Sequence, residues 1–235
     1  MELKVLGLDT STMMATCAVI DDNRLLGEYS LNQEMTHSEK LVPMVKEVLD
    51  NLNLKVKDID LFGVALGPGS FTGLRIGVST VKAFAHSFDK PVVGISTLEA
   101  LAYNLPYNEI IVPMIDARRN RVYTGIYTWD NCKLKEIMAP DVLPIEVLLD
   151  DLKDYKKVII NGNGSLLHRD IIESKLKDGV QFATIGQNIC RGASVAELAK
   201  IKYDSGVVDD YFTLAPEYLR ESQAQRELNR KNGKK

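Results

Sequence analysis

Short apolar runs broken by polar turns recur in two similar series along the chain. Residues 3–8 form a candidate strand, 9–12 a turn and 16–20 a returning strand; after Asp21, Asp22 and Asn23, residues 24–30 make a third. The pattern restarts at Ile110 with IIVPMID, a turn at 117–120, RVYTGIYTW, a turn at Asp130 and Asn131, then CKLKEIM. An aspartate, Asp9 or Asp116, closes the first strand of each meander. Identity between the two copies is low, so the repeat is one of architecture.

Helical periodicity fills the intervals. The first meander is followed by a helix over about 38–52, a buried strand IDLFGVAL, a glycine-rich loop, a helix over about 73–88, a strand PVVGIS and a helix over about 97–103. The second is followed by a helix near 144–152, a strand KKVIING, another strand near 180–184 and a helix over 194–203. Alternation of this kind predicts mixed sheets with helices on their faces. Three strands, helix, strand, helix, strand, helix, performed twice, resembles the plan of the two-domain α/β actin and hexokinase-like ATPases. Domains over 1–104 and 105–218 are expected, with a basic tail over 219–235.

At 100° per residue, Leu41, Val42, Met44, Val45, Val48, Leu49 and Leu52 fall in one arc wider than the stripe a single buried face needs. In the helix after the glycine loop, Leu74, Gly77, Val78, Val81, Phe84, Ala85 and Phe88 make the main stripe, with Ile76 and Ala83 opposite. Such width suits either extensive burial in one domain or a second burial against a partner.

The loop itself, GPGSFTGLRIG over 67–77, stands between a strand and a helix, where unpaired backbone N–H groups can meet an anion. It has no Lys followed by Ser or Thr, and its glycines miss the dinucleotide spacing by one residue. A tight turn with Thr72 as N-cap is the plainer expectation. Ser70 lies outside a GxSxG elbow and has no histidine near it in sequence. Asp9, followed by Thr10 and Ser11, occupies the place where kinases of this general fold hold magnesium and phosphate. No basic residue accompanies it near the hairpin, and an aspartate accepting the amides of its own turn serves equally.

At 235 residues and 45% apolar the chain has enough material for a sizeable core. No window approaches the roughly 20 apolar residues of a membrane span, and no leader pattern opens the chain, so a cytoplasmic location away from membranes is expected. Cys17, Cys132 and Cys190, odd in number and widely spaced, are expected as reduced, buried thiols. The net charge is −3, but the last ten residues carry +4, leaving the preceding body at −7. So acidic a body does not hold nucleic acid unaided.

Four segments sharpen the picture: LGLDTS at the start, VALGPGSFTGLRIGVSTVKAFA, IDARRNRVYTGIY over 115–127, and APEYLR over 215–220. They resemble the TsaB family along nearly the whole chain. The resemblance implies a non-catalytic subunit that pairs with its larger relative TsaD and works with the small ATPase TsaE in placing a threonylcarbamoyl group on an adenosine of tRNA. It also implies that tRNA is met through the complex, that ATP and metal belong to the partner subunits, and that two copies pair when TsaD is absent. The expected interface comprises Leu41, Met44, Val45, Val48, Leu52, Leu74, Val78, Val81 and Lys82, with Asp9 and Ser11 as a weaker nucleotide site.

The TsaD relative carries a VNHLEAHA-type segment whose two histidines help bind metal. The matching stretch here is GISTLEALA, with Thr97 and Leu101 at those positions. A leucine offers no lone pair and a threonine hydroxyl is a poor substitute for imidazole. Glu197 is the only acidic residue over 180–200, and no two of His37, His86 and His168 lie within one helical turn. The competing readings are an ATP-dependent small-molecule kinase and, lacking about three metal ligands and a carboxylate base, a metalloprotease-like hydrolase.

Overall fold

The computed structural model describes residues 2–32, 37–105 and 109–220; the tail from 221 onward, expected to be basic and solvated, lies outside them. Strand β1 (Val5–Asp9) pairs antiparallel with β2 (Met14–Ile20), which pairs antiparallel with β3 (Leu25–Asn32). On its other side β1 runs parallel to β4 (Leu61–Gly67), and β4 runs parallel to β5 (Val92–Ser96), giving the order β3-β2-β1-β4-β5. The second sheet repeats the scheme with β6 (Ile110–Asp116), β7 (Arg121–Asp130), β8 (Lys133–Pro144), β9 (Val158–Asn161) and β10 (Val180–Phe182), in the order β10-β9-β6-β7-β8. The two orders are equivalent strand for strand, so the duplication expected from the alternation is present. β8 reaches to Pro144, well past the CKLKEIM run.

The helices are α1 (His37–Asn51), α2 (Phe71–Phe88), α3 (Thr97–Tyr103), α4 (Ile145–Leu152), α5 (Asn163–Leu167), α6 (Arg169–Leu176) and α7 (Gly192–Asp204). Helices α5 and α6 were not expected: Gly162 and Gly164 break the apolar periodicity there, and Leu166 and Leu167 are exposed, leaving no amphipathic stripe. Ser70 caps α2 by accepting the Gly73 N–H at 3.3 Å, so the cap is Ser70 and not Thr72, and the helix begins two residues early.

The halves exchange helices. α3 precedes the 104/105 boundary yet packs Leu98, Leu101 and Ala102 against Ile111, Ile115, Tyr123 and Tyr127 of the second sheet. α7 follows the boundary yet lays Val195, Ala196 and Ala199 on Val5, Leu61 and Ile95 of the first. It sits over Gly63, where an added Cβ would meet the Ala199 methyl at 2.7 Å. Two five-stranded sheets are thereby locked by each other's helices rather than joined by a linker.

On the opposite face of the first sheet, Leu41, Met44, Val45, Val48 and Leu49 of α1 and Val78, Val81 and Ala85 of α2 close over Leu6, Leu8, Val19, Phe62 and Val64. Leu74 is likewise fully buried, and Leu52 is half-buried against the same core. The expectation that these side chains form a partner surface is corrected by their burial: Leu41, Leu74 and Val81 are 0% exposed. The wide stripe on α1 is used up by the sheet and α2, apart from Val42, which is 49% exposed.

Candidate functional site

A cleft of about 390 Å³ opens between the hairpins that begin the two sheets, lined on one side by Ser11, Thr12 and Met13 and on the other by Asp116, Arg118 and Arg119. Each hairpin starts with the same device. Asp9 Oδ1 accepts the Ser11 N–H at 2.7 Å, and Asp116 Oδ1 accepts the Arg118 N–H at 2.8 Å. An aspartate that satisfies the amide two residues on makes a tight turn out of a strand end.

The turns then diverge. The first is pressed onto the glycine loop: the Ser70 N–H donates to the Ser11 carbonyl at 2.6 Å, and Thr10 Oγ1 donates to the Gly73 carbonyl at 2.7 Å. A side chain at Gly69 would overlap the Ser11 carbonyl, and one at Gly73 the Thr10 carbonyl. Those glycines serve backbone-to-backbone packing. Asp9 is wholly enclosed, and its Oδ2 has no hydrogen-bond partner. Burial raises the Asp9 pKa, offset in part by the Ser11 hydroxyl and amide, which favours the neutral acid. Cys190 lies beside it, 3.9 Å from Ser11 Oγ, and burial holds its thiol well above the usual range. Asp9 is thus withdrawn from solvent, whereas Ser11 borders the cleft.

The second turn stays open. Arg118, Arg119 and Asn120 all adopt positive φ, at 63°, 58° and 54°. Three consecutive non-glycine residues there are uncommon and cost backbone energy. The turn is pinned by Ala117 N–H to the Arg121 carbonyl at 2.9 Å and by Arg220 Nη1 to the Ala117 carbonyl at 2.7 Å. Arg118 pairs with Asp116 at 3.4 Å, while the Arg119 guanidinium is exposed.

Comparison with known proteins places this arrangement. The family model of TsaD, tRNA N6-adenosine threonylcarbamoyltransferase, matches residues 24–227. The tRNA threonylcarbamoyladenosine biosynthesis protein TsaB of Bacillus subtilis (strain 168) is 32% identical, over 95% of this chain and 96% of that protein. The chain belongs to the TsaB family. A crystal structure of an uncharacterized Pseudomonas aeruginosa protein with similarity to peptidase YEAZ superposes with a TM-score of 0.79 at 24% identity, covering 93% of this chain and all of that one. The ROK hexokinase of Thermus thermophilus superposes at 0.50 with 13% identity, over 87% of this chain and all of that one. Both share the fold, which is of the actin/hexokinase-like ATPase type.

The remaining expected positions fall as follows. Thr97 and Leu101 are packed inside α3, 0% and 1% exposed, so the segment matching the TsaD histidines points into the core. Among the described residues no three His, Cys, Asp or Glu side chains come together. His37 is part-buried, with Nε2 2.8 Å from the Thr12 carbonyl, and His86 is exposed on α2. His168 sits between α5 and α6. Glu197 accepts the Tyr103 hydroxyl at 2.8 Å. Cys17 and Cys190 are buried as expected, burial pushing the Cys17 thiol up to about 12; Cys132, at the β7–β8 turn, is exposed, correcting the expectation for that residue.

Lys82 is not a free surface group. Its Nζ donates to the carbonyls of Phe212 and Leu214, each at 3.0 Å. It clamps a strap, residues 209–219, along α2. Tyr218 stacks on Phe71 with ring centres 4.5 Å apart and accepts from Arg75 Nε at 2.9 Å, while the Glu217 N–H donates to the Leu66 carbonyl at 2.8 Å. The strap was legible only as the APEYLR segment; nothing in its spacing foretold that it returns to the first sheet. Among the described residues no helix is long and apolar enough to cross a membrane.

Proposed function

We propose that the protein acts in forming threonylcarbamoyladenosine on tRNA as a non-catalytic subunit: it pairs with a TsaD-like catalytic protein and supports the engagement of a TsaE-like ATPase. The observation that carries this reading is the packing of Thr97 and Leu101 into the core where the catalytic relative offers imidazoles. The enclosed Asp9 and the backbone-filled glycine loop add to it, since in this chain they are scaffold. ATP and metal then belong to the partners, and tRNA is met through the complex because the body of this chain is acidic.

The partner surface lies on the outer faces of α1 and α2, where Val42, Pro43, Arg75, Ser79 and Ala83 are exposed, and the same surface pairs two copies when the partner is absent. Reconstitution of threonylcarbamoyl transfer to tRNA from purified components tests the reading. Omitting this chain is expected to abolish or strongly slow transfer, while the chain alone shows no turnover and no stoichiometric transition metal. Turnover in isolation overturns the proposal. Ala83→Glu with Val42→Glu is expected to weaken association with the TsaD-like partner at unchanged Tm; sedimentation showing only monomer at tens of micromolar counts against self-pairing.

A further inference from the structure

A second cavity, of about 270 Å³, lies away from the hairpin cleft, between α3, α7 and the β7–β8 pair. Its lining is chemically uneven: Ser96 and Glu99 from the start of α3, Lys202 from α7, Tyr127 from β7, and Leu134 and Glu136 from β8. The Lys202 ammonium is committed to Glu99, 2.8 Å away. Glu136 has no ion-pair or hydrogen-bond partner among the described residues. Tyr127 is 3% exposed, and its enclosed hydroxyl makes no well-formed hydrogen bond, with only a weak interaction with the Ser96 side chain. A buried hydroxyl left unpaired costs about 1–3 kcal/mol, so its retention calls for a reason.

The strand pairing shows that this juxtaposition is built. Ile126 stands opposite Met138, and regular antiparallel pairing would place Ile137 opposite Tyr127. Instead the ladder slips between Ile126 and Tyr127, an extra residue enters β8, and Glu136 becomes the partner of Tyr127. Such a bulge re-aims side chains, since a shift of one residue exchanges the faces of a strand. A carboxylate thus stands beside the enclosed phenol, and Ile137 is left 45% exposed. Gly125 makes room for the ring: a Cβ there would meet Tyr127 Cε2 at 2.9 Å and its oxygen at 3.1 Å.

We propose that this cavity is a binding site for a small organic cation, a primary ammonium on a short aliphatic chain, held between the carboxylates of Glu136 and Glu99 and the Tyr127 hydroxyl. Two carboxylates against one lysine leave a single net negative charge, which one ammonium neutralises. Its three N–H donors match three acceptors, and Leu134 lies against the methylenes. Burial, then the charges of Glu136 and Glu99, pushes the Tyr127 pKa up, offset in part by the Ser96 side chain, so the phenol stays neutral and its oxygen accepts from the ammonium. The cavity volume restricts the ligand to a few heavy atoms, at the lower end of ligand sites.

The test is calorimetry on the full chain at low ionic strength with n-butylamine, and with 1-butanol as its uncharged counterpart. Saturable one-site binding of the amine at millimolar concentration or below, without binding of the alcohol, is expected. Glu136→Gln should weaken it about tenfold or more. Tyr127→Phe should weaken it severalfold while leaving the ligand-free Tm unchanged or higher, because the orphaned hydroxyl is gone. Glu146→Gln, an exposed carboxylate on α4, should change nothing. Absence of saturable binding, equal binding of 1-butanol, or undiminished binding by Glu136→Gln overturns the site.

Discussion

Leu41 and Val42 are neighbours on α1 with opposite environments, 0% and 49% exposed, and they separate the helix's inward role from its outward one. Leu41→Ala removes a side chain packed in the cluster with Leu6, Leu8 and Val45, leaving a cavity that a helix clamped between a sheet and α2 cannot collapse to fill. The expected loss is about 2–5 kcal/mol, which for a chain of this size lowers Tm by about 4–20 °C. Val42→Ala removes methyls already half in water and should stay within about 0.5 kcal/mol. Urea unfolding followed by circular dichroism, beside a binding titration with the TsaD-like partner, distinguishes the two roles. Leu41→Ala should shift the urea midpoint and leave the partner affinity of the folded fraction unchanged. An unmoved midpoint with weakened association would refute the assignment of Leu41 to the core.

Gly73→Ala forces a methyl into the Thr10 carbonyl and should destabilise strongly, by several kcal/mol; Gly186→Ala, with open space around it, should not, and equal thermal midpoints for the two would contradict the packing of the hairpin on the loop. Asp9→Asn keeps an oxygen for the Ser11 N–H and removes an acid whose folded-state pKa is raised by burial. Stability lost to ionising Asp9 sets in as pH climbs from the unfolded pKa through the folded one, so the variant should be more stable than the parent at neutral pH and lose that advantage toward pH 4; a constant difference across that range, read by urea midpoints, argues against it. Lys82→Met severs the two carbonyl contacts that clamp the strap; faster amide exchange confined to 209–217 is expected, and unchanged protection there would show that the ring contacts of Tyr218 hold the strap alone.

Element types were largely readable because each strand of the duplicated series is bounded by Asp, Asn or Gly turns, and α3 was read to the residue. What escaped the reading arises from contacts between distant segments. Periodicity identifies the apolar face of α1 but not what covers it, so the same arc of Leu41, Val45 and Val48 suits a partner or the protein's own sheet; only the position of α2 decides. Lys82 was expected at a partner interface, yet its acceptors, the carbonyls of Phe212 and Leu214, lie 130 and 132 residues further on. The bulge that brings Glu136 to Tyr127 is marked only by Gly125 and Pro140 inside the two strands, which signal irregular pairing without saying which side chains it brings together.

The two hairpins show how one frame can carry turns with different surroundings. Both retain an aspartate at the end of the first strand, both spend one carboxylate oxygen on the amide two residues ahead, and both pair the following strand antiparallel. The turn is therefore maintained by a local requirement common to the two copies. Beyond it the copies part according to what lies opposite. Gly69 and Gly73 allow the loop before α2 to settle on the backbone of Thr10 and Ser11, and that contact removes the solvent a carboxylate needs to stay charged. In the second half the loop at Gly162 and Gly164 packs instead on the backbone of Met114 within β6, Asn163 accepts the Asp116 N–H at 3.1 Å, and the arginines line the cleft. Opening Asp9 to solvent would require the loop to lift from the hairpin, which breaks the Ser70–Ser11 and Thr10–Gly73 bonds together. Sealing one hairpin thus stabilises the first domain by the same contacts that enclose its carboxylate, so the glycine loop serves here as a surface for backbone packing.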